Sequence, residues 1–139
     1  MISVFADAGY WIATFSPADG LHARALTVTG QLGSRPVVTS EMVLTEFLNE
    51  FAGRGQYQRV LAARFVADLL AQGKVLIMPQ THELFAAALD LYTDRPDKAW
   101  SLTDCASMVI CQQHGITEVL AHDRHFQQAG FVALLREDD

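Results

Sequence analysis

The chain begins with the short run Ile2-Ser3-Val4-Phe5-Ala6, which ends at Asp7 and leads into a helical stretch, Gly9–Phe15. The run predicts a first strand, Ile2–Ala6. The same alternation of short β-type runs and longer helical stretches continues through the 139 residues. Such alternation is typical of a parallel sheet covered by helices on both faces. We therefore predict an α/β fold, a three-layer α/β/α sandwich around a central, mostly parallel, five-stranded sheet.

Hydrophobic periodicity, capping residues and glycine or proline breaks place the other elements. The remaining predicted strands are Val37–Thr39, Val75–Met78, Val119–Ala121 and Phe131–Leu135. The remaining predicted helices are Leu21–Leu32, Glu41–Ala52, Tyr57–Ala71, His82–Tyr92, Ser101–Gln113 and Arg124–Gln128. Residues 136–139 are predicted to form a solvated tail. Because no repeat, low-complexity segment or linker interrupts the pattern, residues 1–139 are predicted to form one domain.

The composition excludes several classes of protein. Half of the residues are hydrophobic and 19% are charged, which argues against disorder and for a sizeable core. The apolar runs fall well short of the roughly 20 residues that span a bilayer, and the first residues lack the basic region of a signal peptide. Cys105 and Cys111 lie roughly 9 Å apart on one predicted helix, too far to form a bridge. Two unpaired thiols without an export signal predict a cytoplasmic protein.

The net charge of −6 bears on the choice of partner. A protein that binds nucleic acid by neutralising phosphates is normally basic, so the charge by itself argues against such a partner. That objection weakens if the excess acid is concentrated at one site whose charge is cancelled by bound divalent cations. The positions of the acidic residues therefore matter more than their number.

Two aspartates directly follow predicted strands. Asp7 comes after the first strand and Asp123 after the fourth. In open α/β sheets, ligands bind beyond the carboxyl ends of the strands, where the strand order reverses. If the first and fourth strands are neighbours across that point, both aspartates face one crevice. The alternative is that each aspartate only caps the helix that follows it.

Two further acids lie on predicted helices. Glu46 borders the apolar stripe within residues 43–51, so it is either a solvated flank residue or a ligand that points inward. Ser101 and Asp104 have the spacing of a capping box. Asp104 also shares a helix face with the apolar side of the same helix, which directs it towards the rim of the core.

Four segments of the chain, taken in order, resemble those of a known family. They are Phe5-Ala6-Asp7, Thr39-Ser40 with Glu46, Ser101-Leu102-Thr103-Asp104, and His122-Asp123-Arg124-His125-Phe126. The order and spacing of the acids are similar to those of PIN-domain proteins, and more narrowly to the VapC-type toxins of toxin–antitoxin pairs. The resemblance covers essentially the whole chain. It departs at Ala8-Gly9 and Ala121, where many relatives carry hydroxyl side chains.

The resemblance implies a PIN-like fold and a metal-dependent endoribonuclease whose catalytic residues are Asp7, Glu46, Asp104 and Asp123. Converging carboxylates cannot all stay ionised without cations, and their hard oxygen atoms suit Mg²⁺ or Mn²⁺. Asp7, Asp104 and Asp123 are expected to be the closest metal ligands. Glu46 is expected to be a ligand or the group that positions the attacking water. The implied products carry 5′-phosphate and 3′-hydroxyl ends.

The resemblance also implies partners: an RNA substrate, an antitoxin protein and a second copy of the chain. In the family, an apolar surface receives the antitoxin, for which an amphipathic helix laid in a groove is the expected mode. We expect that surface on the first and third predicted helices, which contain Tyr10, Trp11, Phe15, Phe47 and Phe51. The cations expected to help draw the RNA phosphates are Arg54, Arg95, Lys98 and Arg124.

Several alternatives remain open at this point. The scaffold could be a non-catalytic PIN-type binding module whose carboxylates serve only as caps, or a structure-specific DNA nuclease. A phosphatase of the haloacid dehalogenase type would need Asp-x-Asp after the first strand, where this chain has Asp7-Ala8-Gly9. His122 and His125 flank Asp123, but structural zinc sites usually need four nitrogen or sulfur ligands, which the sequence does not supply nearby.

Overall fold

The computed structural model describes residues 2–137, which form five strands and seven helices. The strands are β1 (Val4–Ala6), β2 (Val37–Ser40), β3 (Val75–Met78), β4 (Glu118–Leu120) and β5 (Val132–Ala133). The helices are α1 (Ala8–Phe15), α2 (His22–Leu32), α3 (Glu41–Phe51), α4 (Gln56–Gln72), α5 (His82–Asp94), α6 (Leu102–His114) and α7 (Arg124–Gln128). All the predicted elements are present, and most of their ends lie within one or two residues of the prediction.

The five strands form one sheet in the order β3-β2-β1-β4-β5, and every neighbouring pair is parallel. Phe5 of β1 lies opposite Val38 of β2 on one side and Val119 of β4 on the other. The chain therefore leaves β1 towards β2 and β3, and later returns to the opposite side of β1. The order reverses between β1 and β4, which is the neighbour relation that would bring Asp7 and Asp123 into one crevice.

Helices cover both faces of the sheet. Successive strand residues point to opposite faces, and Val4, Phe5 and Ala6 of β1 are all fully buried. Within the helical layers, α1 packs on α2 and α3, α3 on α4, and α5 on α6. The three-layer α/β/α sandwich is confirmed. None of the helices described is long and apolar enough to cross a membrane.

The aromatic side chains of α1, α3 and α4 form one buried cluster. Phe15, Phe47, Phe51 and Phe65 lie with ring centroids between 4.9 and 5.4 Å apart, mostly edge to face. Tyr10, Trp11, Phe47 and Phe51 are buried, and Phe15 is partly buried against them. The prediction that these aromatic residues form a surface for an antitoxin is therefore wrong, because they fill the core between the three helices.

The end of the chain differs from the prediction. Only two residues of the predicted strand Phe131–Leu135 pair with β4, because β4 is itself three residues long. Beyond them the chain turns, and the Arg24 guanidinium binds the carbonyl of Leu134 at 3.1 Å. Arg136 is also tied down, since its Nη1 donates to the carbonyl of His122 at 2.7 Å. The predicted solvated tail is wrong for Arg136, and its last two residues lie outside the described range.

Candidate active site

Asp7 lies where β1 ends, beside the end of β4. Its backbone N–H donates to the carbonyl of Leu120 at 3.2 Å, which fixes its place at the point where the strand order reverses. Asp7 occupies the N-cap position of α1, but its side chain accepts no capping hydrogen bond. Asp7 is thus the N-cap residue of α1 without the usual side-chain cap, and the helix N–H that influences its carboxylate is that of Ala8.

The ionisation of Asp7 shows that the four predicted acids lie close together. The pKa of Asp7 is raised from 3.8 to about 7, first by burial and then by the negative charge of Asp104. Glu46 and Asp123 act in the same direction more weakly, while the Ala8 N–H opposes them. A carboxylate whose pKa is raised by three other acids, with no compensating cation, is typical of an acidic metal site. The structure thus brings all four residues into one region.

Asp104 stands at the beginning of α6 and has two roles. It forms the predicted capping box, in which Ser101 Oγ accepts from the Asp104 N–H and Asp104 Oδ2 accepts from the Ser101 N–H, each at 3.0 Å. The same Oδ2 lies 2.8 Å from Nδ1 of His125. Its side chain is only 13% exposed. The helix cap and the acidic site are therefore built from one carboxylate.

His125 links two of the acids. Its Nδ1 lies 3.3 Å from Oδ1 of Asp123, in addition to its contact with Asp104. Asp123 caps α7 by accepting from the His125 N–H at 3.0 Å, and its side chain is 50% exposed. The sequence suggests no role for His125 apart from the zinc site considered above. The available signal was a histidine two residues after an N-cap aspartate at the crevice, whereas the side chain of His122 is exposed.

Glu46 approaches the site from α3. Burial of its carboxylate raises its pKa, and the charge of Asp104 adds to that effect. A hydrogen bond from the Thr103 hydroxyl lowers the pKa of Glu46; its effect is smaller than that of burial and larger than that of the Asp104 charge. The prediction left open whether Glu46 is solvated or points inward, and the structure shows a residue at the rim that is accessible yet within reach of Asp104. The contact of Thr103 with Glu46 was not predicted, although the position of Thr103 directly before Asp104 places it near the acids.

A buried hydroxyl holds the strand that carries Asp7. The Thr39 hydroxyl donates to the carbonyl of Ala6 at 2.8 Å and accepts from the Trp11 indole N–H at 3.2 Å. Next to it, Ser40 caps α3 by accepting from the Val43 N–H at 3.1 Å. This pair of residues fixes the end of β1 and the start of the helix that carries Glu46. Side chains that hold ligand-bearing elements in this way tune the geometry of a site.

The donor set fits a divalent cation in charge and type. Four carboxylates supply hard oxygen atoms and an excess of negative charge, which is what Mg²⁺ and Mn²⁺ prefer. Within residues 2–137, however, no group of three His, Cys, Asp or Glu side chains is already arranged to hold one ion. In this arrangement Asp104 Oδ2 and Asp123 Oδ1 are engaged by backbone N–H groups and, for Asp104, by His125.

The four predicted cations are not equivalent. Arg54 pairs with Glu50 on the neighbouring turn of α3, and Arg95 pairs with Asp97 at 3.0 Å. Both charges are therefore partly neutralised by acids of this chain. Lys98 lies on the loop between α5 and α6, and Arg124 follows Asp123 in the chain. Of these four residues, Lys98 and Arg124 stand nearest in sequence to site acids.

A parallel α/β sheet with an acidic crevice at the reversal of strand order defines the class of protein. The family model described as PIN domain matches residues 4–132. The chain belongs to the PIN domain family. No curated protein sequence matches it significantly.

Solved structures place the chain more narrowly. Mycobacterium tuberculosis VapC20, described as a sarcin–ricin loop cleaving toxin, superposes with a TM-score of 0.83 at 25% identity, over 93% of this chain and 96% of that one. FitAcB from Neisseria gonorrhoeae gives 0.68 at 19% identity over 94% of each chain. FitAB bound to an IR36 DNA fragment gives 0.69 at 18% identity over 98% of each chain. The chain is thus a PIN-domain protein with the VapC-type structure.

Proposed function

We propose that this protein is a Mg²⁺- or Mn²⁺-dependent endoribonuclease and the toxin of a type II toxin–antitoxin pair. The observation that carries the proposal is the convergence of three acids on Asp7, whose pKa their charges raise at the point where the strand order reverses. The similarity to a toxin described as cleaving an RNA loop, over nearly the full length of both chains, supports RNA as the substrate. Selectivity would come from RNA shape or a single-stranded loop.

Each acid has a part in the proposed reaction. Asp7, Asp104 and Asp123 would hold the cation, and Glu46 would complete the shell or orient the attacking water. Bound there, a divalent cation supplies a water of lowered pKa and stabilises charge on the phosphodiester oxygens during in-line displacement. Glu46, whose pKa burial raises, would act as the proton acceptor at the rim of the crevice. His125 would keep the Asp104 carboxylate oriented through Oδ2.

Cleavage assays on matched variants test the proposal. We expect Asp7→Asn and Asp104→Asn to lower the rate of RNA cleavage in Mn²⁺ by at least about 10²-fold, because each removes a charged ligand. Asp68→Asn on the exposed side of α4 is the control and should cleave as the parent does. The products should carry 5′-phosphate and 3′-hydroxyl ends. Undiminished cleavage by either site variant would refute the assignment, and single-stranded and structured DNA tested beside RNA would reveal a DNA nuclease.

The antitoxin contact needs a different surface from the one predicted. A groove of about 320 Å³ lies between α3 and α4, lined in part by Leu44, Leu48, Val66 and Leu70. Leu70 is an exposed apolar side chain there, which suits the apolar face of an amphipathic helix. If the adjoining upstream gene encodes a small DNA-binding protein, that protein should co-purify with the parent and not with Leu70→Arg. Equal capture by both would place the antitoxin elsewhere.

Three further properties belong to the same proposal. The match of the family model to residues 4–132 supports treating the chain as one nuclease domain. The free, buried thiols of Cys105 and Cys111 support action in the reducing cytoplasm. Homodimer formation is expected from the resemblance to VapC-type toxins. Light scattering at micromolar concentration would measure the mass, and a strictly monomeric mass would contradict the dimer.

One observation favours a second function, that of a non-catalytic binding module. The carboxylates of Asp104 and Asp123 both serve as helix caps, and no finished chelate is present among the described residues. Asp7 argues against this alternative, because its side chain lacks the usual cap hydrogen bond and three other acids raise its pKa. A binding module would retain RNA affinity in the absence of divalent ions and show no cleavage in their presence.

A further inference from the structure

A cleft of about 470 Å³ lies along the loop that joins α5 to α6. Its lining includes Tyr92, Arg95, Lys98, Trp100 and Cys105. The volume falls in the range of about 300–1,000 Å³ that is usual for small-ligand sites. The lining combines two cations with the edge of a tyrosine that is 52% exposed, whereas Trp100 is buried and forms the floor.

The cleft is attached to the elements that carry two of the acids. Trp100 and Cys105 lie on either side of Asp104 in the chain, so the cleft and the acidic crevice share the beginning of α6. The Trp100 indole N–H donates to the side-chain oxygen of Gln128 at 3.0 Å, which ties the cleft to α7, the helix capped by Asp123. The cleft is therefore attached to both helices that carry site acids at their N-terminal ends.

The two cations that line the cleft differ in their ion pairing with acids of the chain. The Arg95 guanidinium lies 5.1 Å from the centre of the Trp100 ring and pairs with Asp97, which lowers the pKa of Asp97 to about 2. Arg95 is thus held in place and partly neutralised. Among the described residues, Lys98 has no acid within ion-pairing distance. The Lys98 charge helps to lower the pKa of Asp97 but forms no ion pair with it, so the Lys98 ammonium group is the cation in the cleft that is available to a ligand.

We propose that this cleft binds a nucleotide of single-stranded RNA next to the scissile phosphate. The Lys98 ammonium group contacts a backbone phosphate, and the Tyr92 ring stacks on a base. A phosphate is the ligand that an unpaired ammonium group attracts, and a half-exposed aromatic ring accepts any base because every base has a π-face. The proposal rests on the proposed ribonuclease function and names the residues that hold the substrate beyond the acids.

The chain contains two lysines, which provides a matched test. Lys98 lines the cleft, whereas Lys74 precedes β3 at the amino edge of the sheet, opposite the edge that carries the acids. Fluorescence anisotropy measures binding of a short labelled single-stranded RNA in EDTA, where metal-dependent cleavage is absent. Lys98→Gln should reduce the slope of log Kobs against log salt by about 0.7, the contribution of one phosphate contact on a single strand. Lys74→Gln should leave the slope unchanged.

Substitutions at Tyr92 test the stacking contact at one position. Tyr92→Leu should weaken RNA binding by about fivefold or more, while Tyr92→Phe, which retains the ring, should bind as the parent does. Equal binding by the Leu and Phe variants, or equal slopes for the two lysine variants, would overturn the assignment of the cleft. Absence of RNA binding by the parent at low salt would overturn it as well.

Failure of the cleft assignment can be distinguished from failure of the proposed ribonuclease function. RNA cleavage in Mn²⁺ is measured on the same proteins. If the parent cleaves RNA and the variants at Lys98 and Tyr92 bind as the parent does, the cleft assignment fails and the ribonuclease function stands. If the parent neither binds nor cleaves RNA, both fail. Circular dichroism melting confirms that each surface variant is folded before its binding is compared.

Discussion

At the scale of the residue, Asp7 is disturbed by its surroundings because two effects act in the same direction. Burial disfavours the charged carboxylate, and the charges of Asp104, Glu46 and Asp123 disfavour it further. The result is a pKa of about 7 in place of 3.8. The metal-free protein therefore carries a carboxyl group that is close to half protonated at neutral pH. A bound divalent cation would favour the charged form of Asp7 by supplying positive charge.

This shift predicts a pH dependence of stability that Asp7→Asn removes. Because the folded-state pKa lies above the unfolded value, the folded state keeps the proton between about pH 4 and pH 7 while the unfolded chain loses it. The stability of the parent therefore falls as pH rises through this window. The full shift corresponds to about 4 kcal/mol, and partial exposure of the site reduces this to an expected 1–2 kcal/mol, on the order of a single pKa unit.

Urea unfolding in EDTA at pH 5 and pH 7.5 measures the effect. The free energy of unfolding of the parent should drop between the two values by about 1–2 kcal/mol more than that of Asp7→Asn, whose amide stays neutral. Asp68→Asn on α4 serves as the control and should follow the parent. Identical pH dependence in the parent and Asp7→Asn would mean that Asp7 ionises normally.

The four acids could be predicted from the sequence, while the residues that hold them could not. Asp7 and Asp123 follow strands, and this position alone indicates the carboxyl edge of the sheet. The role of Thr39 depends on its contacts with Ala6 and Trp11, one of them 33 residues away. The contact of His125 with Asp104 joins residues 21 apart. Such pairings are set by the packing of elements and leave no periodic signal in the sequence.

At the scale of the element, helix caps and site acids coincide. Asp104 and Asp123 both stand in the first turn or at the cap of a helix, where the positive end of the helix dipole stabilises a carboxylate. Their ordinary capping role and their role as ligands are therefore compatible in position. Asp7 differs because it holds the N-cap position of α1 without the usual side-chain cap hydrogen bond.

The capping box of α6 makes Ser101 a testable position. Ser101→Ala removes the acceptor of the Asp104 N–H and should lower the free energy of unfolding by about 1 kcal/mol. Ser101→Thr retains a hydroxyl and should cost less than half of that. Thermal and urea unfolding of the two variants measure the difference. If the Ala and Thr variants are equally stable, the hydrogen bond contributes nothing to the helix.

The bounds of the elements were predictable where local signals exist. Ser40, Ser101 and Asp123 cap helices at the predicted places, and β3 and α7 have the predicted bounds. β5 was predicted to be longer, because its apolar residues continue past the point where pairing stops. Its end is set by the length of β4 and by Arg24, which lies 110 residues from Leu134. A local pattern does not contain that information.

At the scale of the whole molecule, the core is an aromatic cluster shared by three helices. The sequence shows that α1 and α3 are rich in aromatic residues. The prediction placed those residues on a docking surface. Periodicity identifies the apolar face of a helix and does not identify what covers it. Here Phe65 of α4 packs against Phe15 and Phe47, so the cluster is closed from within the chain.

Phe47 lies at the centre of this cluster and is fully buried. Phe47→Ala should lower the free energy of unfolding by about 3–5 kcal/mol, a large part of the roughly 5–15 kcal/mol that holds a domain together. Phe85→Ala on α5, where the side chain is 40% exposed, is the control and should cost much less. Urea unfolding compares the two. Similar losses for both variants would contradict the placement of the core.

The proposed function requires that the crevice formed by the four acids binds a divalent cation. Isothermal titration of Mn²⁺ into the metal-free parent at pH 7.5 measures this directly, with Asp7→Asn and Asp68→Asn titrated beside it. We predict saturable binding by the parent and by Asp68→Asn, and at least about tenfold weaker binding by Asp7→Asn, since one ligand charge is lost. Absence of binding heat in the parent, or equal affinity in the parent and Asp7→Asn, would show that the carboxylates do not form a metal site.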